Sequence, residues 1–182
     1  MPAGSALLVP GYRGTERQPI LLAISKRLEA AGVATRRIAL PASARPSGGY
    51  VAELAALRAA RDELRADHPG PFALVGRSFG GRMCAFLAER EPPDALAIVG
   101  HPISPPGRPR PRDEAALAHI SCRTLIVQGD RDELGPLDVL ERIAKANARV
   151  EIHVLARAGH DLGSHEREAA DVVARWLAAA LA

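Results

Sequence analysis

The chain has 182 residues, of which 47% are apolar, and a formal net charge of +3. This length suffices for one domain with a sizeable core but not for two, so residues 1–182 are expected to form a single domain. The apolar content excludes a disordered chain. Nucleic-acid binding is not expected, because no Lys/Arg block with interleaved aromatic residues occurs.

Short apolar runs alternate with amphipathic stretches along the chain, a pattern typical of βαβ units and a parallel sheet. In chain order we predict a strand at 6–9, a helix at about 17–31, a strand at 34–40, a loop at 41–49, a helix at about 50–67, a strand at 72–75, a helix at about 80–91, a strand at 95–99, a short helix at about 114–118, a strand at 124–127, a helix at about 137–146, a strand at 150–155 and a helix at about 165–181. Gly32 is expected to end the first helix and Ser164 to cap the last. The predicted fold is α/β, with about six parallel strands flanked by helices on both faces.

The cysteines, the histidines and the amino-terminal sequence limit the expected environment. Cys84 and Cys122 are too few for a disulfide framework and are expected to be reduced, buried thiols. The six histidines form no spaced ligand set with Cys or Asp, so we expect neither a metal nor a cofactor. The first residues contain no leader pattern, and the apolar run from Ala6 to Val9 is too short for a membrane span. We therefore expect a cytoplasmic protein with no membrane partner; the sequence indicates no oligomeric state.

A candidate nucleophile follows the third predicted strand, in the sequence Gly76-Arg77-Ser78-Phe79-Gly80-Gly81. A serine on a sharp strand-to-helix turn is strained and crowded, and glycines two residues away on either side relieve the crowding. The amino-terminal dipole of the following helix favours a developing oxyanion. The structural alternative is a tight turn whose serine merely caps the helix.

Two further loops after predicted strands carry the partners that a serine nucleophile needs. Asp130 and Asp132 follow the fifth strand, and His160 lies in a glycine-containing loop after the sixth. Taken alone, the acidic loop is also explained as a polar turn, and the histidine as a solvated side chain. Together, Ser, Asp and His each follow a different strand, and in a doubly wound sheet those strand ends share one edge.

With these motifs the whole chain resembles the α/β-hydrolase family, whose catalytic residues run in the order Ser, Asp or Glu, His. The sequence around Ser78 matches the nucleophile elbow of that family, and Gly159-His160 matches its base motif. The segment 129–136 resembles the acid loop G-x-x-D-x-x-x-P, an alignment that selects Asp132 over Asp130. Within this family, the chain is most similar to small bacterial hydrolases akin to the dienelactone hydrolases. Those enzymes have Cys at the position where this chain has Ser78.

The resemblance also implies an oxyanion hole and an activity. Its donors would be the backbone N–H groups of Tyr12 and Phe79, although Pro10 stands where the family often has His. The implied enzyme is a carboxylesterase-like serine hydrolase of small ester-type substrates, with Ser78, His160 and Asp132 as its triad. Arg13, Arg77 and His101 are expected near the site, either as contacts for an anionic group or as solvated charges.

The loop that carries a lid in many family members has only about twenty residues here, after Val99. We therefore expect little or no lid and an open, shallow site. Two alternatives stay open. One is a non-catalytic binding or scaffold protein on the same fold; the other is an acyltransferase or C–C-bond hydrolase that uses the same residues.

Overall fold

The computed structural model describes residues 4–41 and 46–182, so part of the predicted 41–49 loop lies outside the described residues. The described chain forms one six-stranded sheet in the order β2-β1-β3-β4-β5-β6, and every pairing is parallel. The strands are β1 Gly4–Val9, β2 Val33–Arg37, β3 Phe72–Arg77, β4 Ala95–Val99, β5 Arg123–Gly129 and β6 Val150–Leu155. The helices are α1 Pro19–Ala30, α2 Val51–Asp67, α3 Phe79–Arg90, α4 Pro111–His119, α5 Leu137–Ala146 and α6 Glu166–Ala180. This architecture confirms the predicted α/β fold.

The helices cover both faces of the sheet because strand side chains alternate in direction. Ala6 and Leu8 pack in a core with α1 and α6, whereas Leu7 and Val9 pack in a second core with α2 to α5. All four side chains are fully buried. Burial of a leucine side chain contributes about 1.5–3 kcal/mol, so β1 contributes substantially to the stability of the fold.

Two strands are longer at their carboxyl ends than the apolar runs predicted. β3 continues through Gly76 and Arg77, which pair with Ile98 and Val99 of β4. β5 likewise continues to Gly129. The apolar runs end earlier because glycine and polar residues interrupt them, but the backbone ladder does not need apolar side chains. The extension places Ser78 directly at the end of the sheet.

The helix ends show one correct prediction and one wrong prediction. Gly32 has φ 81° and follows α1, as expected for a glycine after a helix end. Ser164 is not the cap of α6: it lies inside a 3-10 turn, Gly163–His165, and the cap position is His165, which makes no side-chain capping bond. Left-handed Leu162 (φ 61°) turns the chain before this 3-10 turn, so regular helix begins later than the sequence predicted.

Cys84 and Cys122 are free and buried, as predicted, and burial raises the pKa of the Cys84 thiol above its ordinary value. Across ranges 4–41 and 46–182, no helix combines the length and apolarity that crossing a membrane requires.

The strand order fixes where a site can form. After β1 the chain proceeds to one neighbour, β2, whereas β3 and the later strands extend the sheet on the other side of β1. The order therefore reverses between β1 and β3, and ligands of open α/β sheets bind outside the carboxyl ends of strands at such a point. The loops that contain Tyr12 and Ser78 follow these two strands.

Candidate active site

Ser78 occupies a strained turn between β3 and α3. Its backbone has φ 49° and ψ −114°, in a region that L-residues rarely adopt. The turn is held by two backbone bonds: the Ser78 N–H donates to Val99 O (3.0 Å), and the Arg82 N–H donates to Ser78 O (3.1 Å). The side chain is half-buried at the surface of the sheet edge.

The flanking glycines are required by close backbone approach, as predicted for this motif. A Cβ on Gly76 would lie 2.5 Å from the backbone nitrogen of Gly81, and a Cβ on Gly80 would lie 2.5 Å from Val9 O. Real Cβ atoms do not approach backbone atoms so closely. Only glycine therefore allows β3, α3 and the end of β1 to meet behind the serine.

Ser78, His160 and Asp132 form a continuous hydrogen-bonded chain. Ser78 Oγ lies 2.9 Å from His160 Nε2, and His160 Nδ1 lies 2.8 Å from Asp132 Oδ2. The Asp132 side chain is fully buried, whereas the His160 side chain is 20% exposed. In the tautomer with hydrogen on Nδ1, His160 donates to Asp132 and offers Nε2 as an acceptor to the serine hydroxyl.

Asp132 is held by donors on both carboxylate oxygens. Oδ2 accepts from Gln128 Nε2 (2.8 Å) in addition to His160, and Oδ1 accepts from the Leu134 N–H (2.9 Å). Gln128 is itself fixed, because it donates to Gly135 O (2.9 Å) and accepts from the His101 N–H (2.8 Å). Sequence reasoning missed Gln128; the available signal was a polar residue at the end of a buried apolar strand.

Asp130, the other acid of this loop, has a different role. It is exposed, and its Oδ1 accepts a hydrogen bond from the backbone N–H of Arg157 (2.6 Å). It therefore ties the β5–α5 loop to the β6–α6 loop without contacting the imidazole. Of the two acids, Asp132 is the one placed against His160.

Tyr12 and Phe79, the predicted oxyanion donors, lie beside each other. Their rings meet edge to face, with centroids 5.9 Å apart. Phe79 is the first residue of α3, where N–H groups have no acceptor within the helix. The Tyr12 loop is closed by a bond from the Gly14 N–H to Gly11 O (2.9 Å), and Gln18 Oε1 accepts from the Gly11 N–H (3.0 Å).

Two of the three predicted substrate contacts are corrected by the structure. Arg77 is only 7% exposed, and its guanidinium donates to the carbonyls of Val99, Gly100 and His160. His101 is fully buried, and burial lowers its pKa to about 4. Neither side chain is accessible to a substrate, because the ends of β3 and β4 enclose both of them. Arg13 is exposed and has a left-handed backbone (φ 57°).

A cleft of about 280 Å³ opens beside the serine turn, on the side of the Tyr12 loop. Its lining is mostly apolar with a few polar groups, and comprises Gly11, Tyr12, Arg13, Gly14, Thr15, Ala39, Leu40, Pro41, Pro46, Glu53 and Phe79. Arg13 is the predicted contact that does line this cleft. The volume fits a small organic group rather than a long chain.

The segment between β4 and β5, residues 100–122, packs against the body of the protein. It contains α4, whose Ala116 and Leu117 are buried in the core with Leu96 and Ile98 of β4. A buried ion pair between Arg82 of α3 and Asp113 of α4 fixes this helix laterally.

The arrangement provides an acceptor for a hydroxyl proton, a buried carboxylate behind it and backbone donors at a helix start. These are the groups that nucleophilic acyl chemistry uses. Within the part of the chain that the structure describes, no group of three or more His, Cys, Asp or Glu side chains is placed to hold a metal ion.

Solved structures show the same fold. A serine hydrolase homologue from Coxiella burnetii is 23% identical, with a TM-score of 0.81 over 96% of this chain and 85% of that chain. Est1E from Butyrivibrio proteoclasticus is 16% identical, with a TM-score of 0.80 over 98% and 88% of the two chains. XC6422 from Xanthomonas campestris, described as a serine hydrolase without lid, is 20% identical, with a TM-score of 0.75 over 97% and 83%.

The family comparison agrees with the fold. A family model described as "Alpha/beta hydrolase domain" matches residues 42–181, which include the segments of Ser78, Asp132 and His160. The strand order and the serine turn described above are consistent with this match. The chain therefore belongs to the α/β-hydrolase family.

Proposed function

We propose that this protein is a serine hydrolase of small ester-type substrates, with Ser78 as nucleophile, His160 as general base and Asp132 as the acid that orients His160. The observation that carries the proposal is the unbroken chain of contacts from Ser78 Oγ to His160 Nε2 (2.9 Å) and from His160 Nδ1 to Asp132 Oδ2 (2.8 Å). A serine hydroxyl is a poor nucleophile without such a base, and a histidine base needs an acceptor that fixes its tautomer.

In the proposed acylation step, Ser78 Oγ attacks the ester carbonyl carbon while His160 Nε2 takes the hydroxyl proton. The carbonyl oxygen becomes an oxyanion, which the N–H groups of Tyr12 and Phe79 bind. When the tetrahedral intermediate collapses, the C–O bond of the ester breaks and His160 returns the proton to the leaving alcohol.

In the proposed deacylation step, water attacks the acyl-serine carbonyl and His160 again accepts the proton. The acid product leaves, and the proton returns to Ser78 Oγ. Asp132 stabilises the imidazolium that forms twice in the cycle. Its three hydrogen bonds, from His160, Gln128 and Leu134, hold the carboxylate in one orientation toward the imidazole.

The preference for small substrates is supported by the cleft beside Tyr12 and Phe79. Its volume of about 280 Å³ is at the lower end of ligand sites, and its apolar wall includes Leu40 and Phe79. A short acyl or alcohol group fits this space, whereas a long lipid chain would extend into solvent.

Active-site labelling with a fluorophosphonate probe tests the proposal directly, because the probe reacts with activated serines. We expect one adduct by intact mass, mapped to the peptide that contains Ser78. The adduct should be absent in Ser78→Ala and strongly slowed in His160→Ala. Ser164→Ala, which removes an exposed serine, should label like wild type.

Turnover of p-nitrophenyl acetate is the second measurement, with competing alcohols added to detect transfer to acceptors other than water. Absence of both labelling and turnover, under conditions that label a control esterase, would reject the hydrolase proposal in favour of a binding protein on this fold. Ester products formed from the alcohols in preference to acid would indicate an acyltransferase instead.

A further inference from the structure

We propose that Arg77 is a positioning residue that fixes the backbone of the base His160 against the strand of the nucleophile. Arg77 immediately precedes Ser78 at the end of β3. Its consequence for catalysis rests on the function proposed above, whereas its effect on the position of His160 does not.

The contacts of Arg77 join the ends of β3 and β4 to the loop after β6, at the carboxyl edge of the sheet. One terminal nitrogen, Nη2, donates to the carbonyl oxygen of His160 itself. The other, Nη1, donates to Val99 O at 3.2 Å and lies 3.5 Å from Gly100 O. The planar guanidinium therefore connects the end of β4 with the loop after β6, and a shorter ammonium group cannot make both contacts at once.

Arg77 and Arg82 are both buried arginines, but they differ in their partners. Arg82 has the same 7% exposure but forms a bidentate ion pair with Asp113. Among the residues that the structure describes, no carboxylate lies within 4.0 Å of Arg77. Burial lowers the pKa of Arg77, and the more distant Asp132 and Asp161 partly offset this effect.

A buried cation without a paired anion is costly. The carbonyl oxygens of His160, Val99 and Gly100 are the acceptors that keep it in place. All of these acceptors are backbone carbonyls, one at the end of β4 and two in the loops after β4 and β6, which is the arrangement expected of a residue that fixes backbone positions.

The local backbone is shaped around this contact. Gly100 has φ 64°, and a Cβ at this position would collide with Arg77 Nη1. The loop of His160 is bounded by two left-handed residues, Arg157 (φ 64°) and Leu162 (φ 61°). Such strained backbone persists only where the surroundings hold it.

Other contacts hold this loop from the acid side, through the bond from the Arg131 N–H to Ala158 O (2.9 Å). Arg77 holds it from the nucleophile side. Because Arg77 and Ser78 are consecutive, the contact between Arg77 and the His160 carbonyl fixes the base relative to the short segment that carries the nucleophile. Misplacement of a reacting group by about 1 Å can cost a factor of about 10² in rate. We therefore expect loss of the Arg77–His160 contact to slow turnover.

The test uses two variants of Arg77. Arg77→Met removes every hydrogen-bond donor of the side chain, and Arg77→Lys keeps the positive charge but lacks the two separate terminal nitrogens of the guanidinium. Arg110→Met is the matched control, since Arg110 also donates to a loop carbonyl at this edge, Pro102 O at 2.7 Å, away from the triad. Each variant is measured for its thermal midpoint, for kcat and KM with p-nitrophenyl acetate, and for the downfield proton resonance of His160 Nδ1–H.

We expect Arg77→Met to lose about a hundredfold in kcat with KM little changed, and to lose or broaden the His160 resonance while the protein stays folded. Arg77→Lys should retain more of both signals than Arg77→Met. Arg110→Met should keep wild-type kcat and the resonance. If Arg77→Met does not fold, Arg77→Lys alone decides, with reduced kcat and an altered resonance expected.

A folded Arg77→Met or Arg77→Lys variant with wild-type kcat and an unchanged His160 resonance would overturn the proposal. So would a loss of kcat in Arg110→Met equal to that in Arg77→Met, since the effect would then be general to this edge. Failure of the proposed function is distinguishable: wild type would show the resonance but no turnover or labelling, and the resonance would still report on Arg77.

Discussion

Gln128 Nε2 lies 2.8 Å from Asp132 Oδ2, the same oxygen that faces His160 Nδ1 at 2.8 Å. Two donors therefore converge on one carboxylate oxygen, and the Gln128 amide sets the direction in which Asp132 presents it. All three side chains are held at the end of β5 or in the loops that follow β5 and β6. The orientation of Asp132 thus depends on a residue four positions upstream in the chain.

Gln128→Leu should lower kcat roughly tenfold, because Asp132 loses one of the contacts that orient it. It should also lower the free energy of unfolding by about 1–3 kcal/mol, since the buried His101 N–H and Gly135 O lose their partner. Steady-state kinetics and denaturant titration measure the two effects. Gln128→Glu keeps an acceptor for the backbone N–H of His101 but has no donor for Asp132. Wild-type kcat in both variants would show that the Gln128 amide does not contribute to turnover.

Asp132→Asn should reduce kcat by about 10⁴ without unfolding the protein, because the amide is isosteric but stabilises the wrong tautomer of His160. Asp130→Asn is the control, as Asp130 is exposed and only accepts from the Arg157 N–H. Its kcat should stay within a few-fold of wild type. A larger loss in Asp130→Asn than in Asp132→Asn would mean that the acid is misassigned.

Gly76→Ala should destabilise the protein by about 1–3 kcal/mol or prevent folding, because its Cβ would be forced against the backbone of Gly81 and Gly80. Gly48→Ala is a matched control, since a Cβ there meets nothing within 4 Å. Thermal unfolding followed by circular dichroism compares the two. Equal midpoints would contradict the close packing of β3 against α3.

The buried His101 should make stability depend on pH. Burial, with Arg82 and Arg110 acting in the same direction, lowers its folded-state pKa from 6.5 to about 4, against the opposing charges of Asp113 and Asp132. Between these values the unfolded chain binds more protons than the folded one, so stability falls as pH falls from about 6.5 to about 4. The contribution of this residue amounts to about 3 kcal/mol.

Denaturant titrations of wild type and His101→Leu at a series of pH values measure this effect. The leucine variant should show a shallower loss of stability over that interval, because the carboxylates common to both proteins cancel in the comparison. Parallel pH profiles for the two proteins would show that His101 does not carry the dependence.

Several features of the sequence were sufficient to predict their structural counterparts. The alternation of apolar runs and amphipathic stretches predicted the parallel sheet, since burial on both faces demands continuous apolar strands. The glycines around Ser78 predicted a strained turn. The choice of Asp132 over Asp130 came from the resemblance of segment 129–136 to the acid loop of the α/β-hydrolase family, and not from the local pattern alone. The proposed likeness to dienelactone hydrolases stays a prediction.

Other expectations failed because they depend on contacts between distant segments. Arg77 and His101 lie at strand ends, where polar residues are often exposed, yet packing of β3 and β4 encloses both. Ser164 has the residue type of a helix cap, but the turn at Leu162 shifts the helix start beyond it.

The sequence by itself determined the strands, the helices and the three loops that carry Ser78, Asp132 and His160, because these follow from local periodicity and turn chemistry. Only the tertiary structure decided which side chains line the cleft, that the Gln128 amide contacts Asp132 and that the Arg77 guanidinium contacts the carbonyl of His160. These contacts join residues that lie up to 83 positions apart in the chain. Sheet order and loop packing bring them together, and no local pattern encodes that approach.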